Sequence, residues 1–170
     1  MRRWAALIRP AGRVLDVACG RGRHLRFLKS RGFSVVGVDR DEAALEASRD
    51  LAGVELRCAD IETGPWPFPS EGFDGVVVTN YLHRPLFGNL VEALRPGGVL
   101  IYETFALGNE RYGRPSNPHF LLEPGELLRF LEPLAIVAFE QGSISAPKAA
   151  VVQRVCAVRG NSNPVPLDAV

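Results

Sequence analysis

A doubly wound α/β fold on a mostly parallel sheet follows from three features of this 170-residue chain. Short apolar runs alternate with segments of helical spacing, several runs stop on an acid, and a small-residue turn joins the first run to the first helical pattern. That join is Arg13-Val14-Leu15-Asp16-Val17-Ala18-Cys19-Gly20-Arg21-Gly22-Arg23-His24. A turn of this kind lets a ligand approach bare backbone, and the helix start after it offers free N–H groups.

Each element follows in order. Strand one covers about 13 to 17, and the helix after it ends at Arg31-Gly32. The β-branched run from Phe33 to Asp39 is strand two, and Asp41-Glu42 opens a second helix with carboxylates in its first turn, where the dipole favours them. Gly53 to Asp60 supplies strand three. The Pro-rich turn Gly64-Pro65-Trp66-Pro67-Phe68-Pro69 then excludes regular structure before strand four at Phe73 to Val78. Pro85 opens a helix with Leu86, Leu90, Val91 and Leu94 at helical spacing, which Pro96-Gly97-Gly98 closes, and strand five runs from Val99 to Phe105. Between Ala106 and Leu122 lies an irregular segment rich in Gly, Pro and Asn, and loops of this length tend to be functional. Pro124 opens a last short helix. The runs 134 to 140 and 149 to 158 pair as an antiparallel hairpin, which completes a seven-stranded sheet. Residues 1–159 form one domain, and the tail 160–170 is expected to be mobile.

Composition narrows the function classes. With 46% hydrophobic and 23% charged residues the chain supports a sizeable core, and a net charge of +1 leaves no electrostatic footprint for nucleic acid or membrane. Three scattered cysteines without a CxxC pair argue against a disulfide scaffold and against zinc, so no metal site is expected. The first ten residues hold too short an apolar run for a signal peptide. A cytoplasmic protein acting on a small molecule is expected.

Ligands of such sheets sit at the carboxyl ends of the strands. Asp16, Asp39 and Asp60 lie near the ends of strands one to three, and Asn80 and Tyr81 follow strand four. The pieces Val14 to Gly22, Val38-Asp39, Cys58-Ala59-Asp60-Ile61, Phe73 to Val77 and Leu94 to Leu100 together resemble the class I S-adenosylmethionine-dependent methyltransferases, in that family's order and spacing. Within them the chain is most similar to small members of the tellurite-resistance type. The resemblance implies a Rossmann-like sheet, S-adenosylmethionine as donor and S-adenosylhomocysteine as product. It also implies that the turn from Ala18 through Cys19 and Gly20 to Gly22 wraps the methionine part, with Asp16 beneath it. Asp39 accepts from the ribose hydroxyls, Asp60 from the adenine amine beside the backbone of Ile61, and Arg40 and Asn80 complete the cofactor set. Ala18 departs from the family's usual glycine, and a positive φ there costs about 1 kcal/mol.

Other residues carry two readings each. Cys19 is a small buried filler rather than a reactive thiol. Trp66 and Phe68 either cover the adenine or plug the sheet edge. His83 is the candidate base and Tyr81 a candidate for orienting the acceptor, although His83 also suits a helix start. Arg84, Arg111, Tyr112, Arg114, Asn117 and His119 are the candidate acceptor contacts, Arg offering bidentate geometry to an oxyanion, against a loop pinned by arginine-to-carbonyl bonds. The lead-in is short for a substrate lid, so the long loop, a second copy or a partner subunit is expected to close the site. A catalytically silent cofactor-binding subunit is the alternative function. An NAD(P)-binding oxidoreductase ranks below both, because such sites want G-x-G-x-x-G, whereas here Cys19 stands between Ala18 and Gly20 and the third glycine is absent.

Overall fold

Strands that are apolar on both faces need cover on both sides, and this chain supplies it from its helices and from its first residues. The computed structural model describes residues 2–160, so the expected tail from residue 161 onward lies outside the described residues. The strands are β1 (Arg13–Val17), β2 (Ser34–Asp39), β3 (Val54–Cys58), β4 (Phe73–Thr79), β5 (Leu94–Phe105), β6 (Leu134–Ile144) and β7 (Ala150–Arg159). They form one seven-stranded sheet in the order β3-β2-β1-β4-β5-β7-β6. Strands β1 to β5 pair in parallel, and β7 runs antiparallel to both of its neighbours, β5 and β6. The fold is the Rossmann-like α/β sheet expected, closed by the antiparallel hairpin.

Four helices cover the sheet: α1 (Arg23–Ser30), α2 (Glu42–Glu46), α3 (Phe87–Ala93) and α4 (Glu126–Phe130). Side chains alternate across the strands, so one set (Leu15, Val36, Val76, Leu100) packs with Leu90 of α3 and Leu127 of α4. The other set (Val14, Val35, Val77, Ile101) packs with Leu25 and Leu28 of α1. Every one of these residues is buried.

Helix α3 and strand β6 differ from expectation. Helix α3 ends at Ala93 rather than at Pro96-Gly97-Gly98, because Leu94 already pairs with Phe73 in the sheet. Its start is also later, after a 3-10 turn over Arg84–Leu86. Strand β6 continues past residue 140 to Ile144, where it pairs with Ala150.

The lead-in is more than a connector. Arg2–Leu7 forms a 3-10 helix whose Trp4 is fully buried, and Ile8 lies so close to the sheet that a Cβ on Gly75 would stand 2.7 Å from its Cδ1. These residues complete the core on the α1 face. Truncating a buried tryptophan removes its transfer energy and leaves a cavity. We expect Trp4→Ala to lower unfolding free energy by about 3 kcal/mol or more in a urea titration; a change within about 0.5 kcal/mol would show that the lead-in packs only loosely.

Candidate functional site

The turn after β1 is built by local constraints. Gly20 and Gly22 have φ of +51° and +77°, and Ala18 shares that left-handed region at +51°, so the cost foreseen for a non-glycine residue is present. A side chain at Gly22 would collide with the Ser48 hydroxyl at 2.0 Å, whereas nothing lies within 4 Å of a Cβ on Gly20. The Gly20 backbone is therefore open to a ligand. The Gly20 N–H donates to Asp39 Oδ2 at 2.7 Å, and Asp39 Oδ1 accepts from the Asp41 N–H at 3.0 Å. Each of these oxygens keeps lone-pair capacity for a ligand hydroxyl. Cys19 fills space against Gly37, and burial, with Asp16 and Asp39 nearby, holds its thiol above the ordinary range. That suits the filler reading.

Beneath the turn Asp16 is 1% exposed, and neither carboxylate oxygen has a hydrogen-bond partner. Burial pushes its carboxyl up to about 8, Arg23 opposing the rise and Asp39 adding to it. An orphaned buried carboxyl beside an open backbone turn fits a cationic ligand group above it.

Two cavities flank the turn. The first, about 240 Å³, is lined by Ala18, Asp39, Arg40, Asp60, Ile61, Glu62 and Tyr81 among others, at the ends of β1, β2 and β3. Asp60 accepts from the N–H of Glu62 at 2.9 Å and from the backbone and hydroxyl of Thr63, which hold its carboxyl below the ordinary range. Burial and the Glu62 carboxylate keep the Tyr81 phenol protonated, above its usual range. The second cavity, about 460 Å³, opens at the ends of β4 and β5. Asn80, Tyr112 and Arg114 line it.

Several other lining residues were not singled out in the sequence: Arg2, Arg23, His24, Glu103, Phe105 and Lys148. Burial, with Arg23 and Arg2 close by, lowers the His24 imidazole to about 4, so the ring is neutral at neutral pH. Only the placement of Arg23 and His24 directly after the turn hinted at them.

Five candidates for the catalytic and acceptor roles line neither cavity, nor do Asp16, Cys19, Gly20 and Gly22 of the cofactor set. Arg84 is committed elsewhere: its guanidinium pairs with Glu126 at 2.6 and 3.1 Å and donates to the carbonyls of His119 and Leu121. The loop is pinned by arginine-to-carbonyl bonds, and Arg84 makes them. His83 stands at the start of the 3-10 turn, its carbonyl accepting from Leu86. Asn117 caps a second 3-10 turn, Pro118–Phe120, by accepting from the His119 N–H, while Arg111 and His119 are exposed. Trp66 and Phe68 also lie outside the first cavity; Trp66 meets Phe68 edge to face, Phe68 meets Phe73 in the same way, and both pack on the core.

The family description "Methyltransferase domain" matches residues 14–98, half of the chain, and that stretch contains the turn, Asp39 and Asp60. The chain belongs to the S-adenosylmethionine-dependent methyltransferases. It is 36% identical over 152 residues to a tRNA U34 carboxymethyltransferase of Methylococcus capsulatus, covering 76% of this chain and 47% of that protein. It is also 36% identical over 96 residues to a trans-aconitate 2-methyltransferase of Sinorhizobium fredii, covering 54% of this chain and 37% of that protein. The chain thus spans about half the length, or less, of these relatives. Among solved structures, an S-adenosylmethionine-dependent methyltransferase from Mesorhizobium loti has the same fold, with a TM-score of 0.72 at 20% identity over 94% of this chain and 98% of that one. The methyltransferase cofactor, S-adenosylmethionine, is the ligand of this family. Neither the NAD(P) reading nor the silent subunit is favoured by these findings. Charge balance alone does not exclude nucleic acid, since one relative is named for a tRNA. Among the described residues no helix is long and apolar enough to cross a membrane, and no cluster of three or more His, Cys, Asp or Glu could hold a metal.

The raised carboxyl of Asp16 sets a pH dependence. The folded protein keeps a proton that the unfolded chain, with the ordinary value of 3.8, has released. Its stabilising contribution is complete below about pH 4 and is lost as pH rises through about 8. Urea titrations of the ligand-free protein at about pH 5 and pH 8 should show this loss, and Asp16→Asn should remove most of it. Equal pH slopes for the two proteins would mean that Asp16 is ionised throughout.

Proposed function

We propose that this methyltransferase transfers the methyl group of S-adenosylmethionine to a small molecule held in the 460 Å³ cavity. The observation that carries the reading is the unpartnered Asp16 carboxyl under an open turn, with one cavity on each side. In this reading the amino-acid end of the cofactor lies over Gly20 to Gly22. Asp16 compensates its ammonium from below, and Arg23, beside Asp16, faces its carboxylate. Asp39 accepts from the ribose, and Asp60, with the backbone of Ile61, takes the adenine in the smaller cavity. Asn80 lines the cavity on the acceptor side.

When bound, the cofactor supplies an electrophilic methyl on a sulfonium. The chain's task is then positioning: a nucleophile has to be aligned with that methyl while water is kept out. Tyr81, protonated and half-buried, offers a hydroxyl to a ligand in the smaller cavity. The outer wall comes from the loop between β5 and α4 and from the β6–β7 turn. The two relatives are named for very different acceptors, a tRNA uridine and trans-aconitate. A cavity of this volume suits a small molecule.

Two substitutions test the assignment. Asp39→Ala should weaken S-adenosylhomocysteine binding by about tenfold or more in calorimetry, with the circular dichroism spectrum retained. Arg114→Ala should leave that affinity within about twofold and reduce methyl transfer from labelled cofactor to small-molecule acceptors. Unchanged binding in Asp39→Ala, or tight binding of NAD with none of S-adenosylhomocysteine, would refute the site.

A further inference from the structure

The larger cavity is unevenly charged. Arg2, Arg23, Arg114 and Lys148 line it, whereas its one acid among the described lining residues is Glu103. That acid pairs with Arg154, Nε to Oε2 at 2.9 Å, so its charge is matched from below. Arg2 lies over the Phe27 ring at 5.0 Å, and Arg23 sits beside Asp16 and meets His24 Nε2 at 3.1 Å. Arg114 and Lys148 are left. Neither forms an ion pair with any described residue, and both are exposed at the rim.

These two cations come from separate elements that converge. Lys148 belongs to the turn between β6 and β7, and its ammonium stands 3.9 Å from where a Cβ on Gly113, the neighbour of Arg114, would be. The two segments are tied together by Asn109, a buried residue of the long loop. Its Nδ2 donates to the carbonyl of Pro115, directly after Arg114, at 2.9 Å. Its Oδ1 accepts from the N–H of Val151, at the start of β7, at 3.2 Å. One asparagine thereby fixes the stretch bearing Arg114 to the strand that follows Lys148. The same cavity has apolar lining from Phe105, Ile144 and Val152.

We propose, resting on the acceptor cavity assigned above, that the methylated molecule is an organic acid, its carboxylate held by Arg114 and Lys148 and its apolar body lying against Phe105, Ile144 and Val152. A guanidinium fork matches a planar carboxylate, and a neighbouring ammonium adds a point charge to the same group. A cationic acceptor meets repulsion from both. A neutral acceptor leaves both cations without a partner, so it gains only from the apolar wall. Asn109 is a positioning residue here: it sets the spacing of the two cations without touching the acid.

Calorimetry with octanoate, octanamide and octyl phosphate tests this, on the whole chain, with and without saturating S-adenosylhomocysteine. The expected result is octanoate binding about tenfold or more tighter than octanamide, a ratio that falls toward one in both Arg114→Gln and Lys148→Gln. Equal binding of acid and amide, no measurable binding of octanoate, or a ratio that survives in both variants overturns the proposal. Tighter binding of octyl phosphate than of octanoate overturns the carboxylate assignment as well. Both side chains are exposed, so the variants are expected to keep the fold, which their thermal melts check. The arm without S-adenosylhomocysteine separates the two readings. Failure of that compound to bind strikes the methyltransferase site alone, and the acid preference stands or falls on its own ratio.

Discussion

The hydrogen bond from the Gly20 N–H to Asp39 holds the turn after β1 against the end of β2, and the layout of both cavities depends on it. It fixes the backbone of a segment in which three residues adopt a left-handed conformation, one of them an alanine. Asp39 thus has an architectural duty before any ligand arrives. The parallel register supports it: Asp16 stands opposite Gly37, and Val17 opposite Val38, so the polar ends of neighbouring strands arrive at one edge together. Burial of both sheet faces forces polar function to that edge, since a polar group within the layers lacks partners. Asp16 stands apart from the other buried polar side chains in that neither of its carboxylate oxygens has a hydrogen-bond partner.

Around this edge the chain divides its labour by sequence region. The first cavity draws on residues 18 to 81, which lie within the matched family stretch of 14–98. Apart from Arg2, Arg23, His24, Thr79 and Asn80, the second cavity draws on residues 103 to 152. Arg84 and Asn109 tie down the long loop. Arg84 binds the later half of the long loop to the segment after β4, and Asn109 binds its earlier half to β7.

Much of this was legible in the amino-acid order. Short β-branched runs stopping on or just before Asp39 and Asp60 gave away the strands and the edge at which they end, because a continuous apolar run of that length between helical patterns reads as a buried parallel strand. The hairpin was legible from two β-rich runs separated by Pro and Gly. The burial of Trp4 was not, since six residues of 3-10 helix carry no periodicity to read. Nor was the real duty of Arg84, whose partner Glu126 lies 42 residues away. In the long loop Tyr112 and Arg114 line the larger cavity, while Asn117 caps a turn. Lys148 lay in a stretch read only as a turn, and its importance arises from a convergence that exists only in three dimensions.

The place of β7 has a consequence for how this scaffold changes over time. Because β7 lies between β5 and β6, the turn that carries Lys148 is held by ladders on two strands while its own residues face outward. Substitutions there leave the sheet's hydrogen bonding untouched and lie outside the stretch that carries the glycine turn. The hairpin tip can therefore vary while the glycine turn and the smaller cavity keep their shape, so one half of the scaffold is free to change against a constant other half.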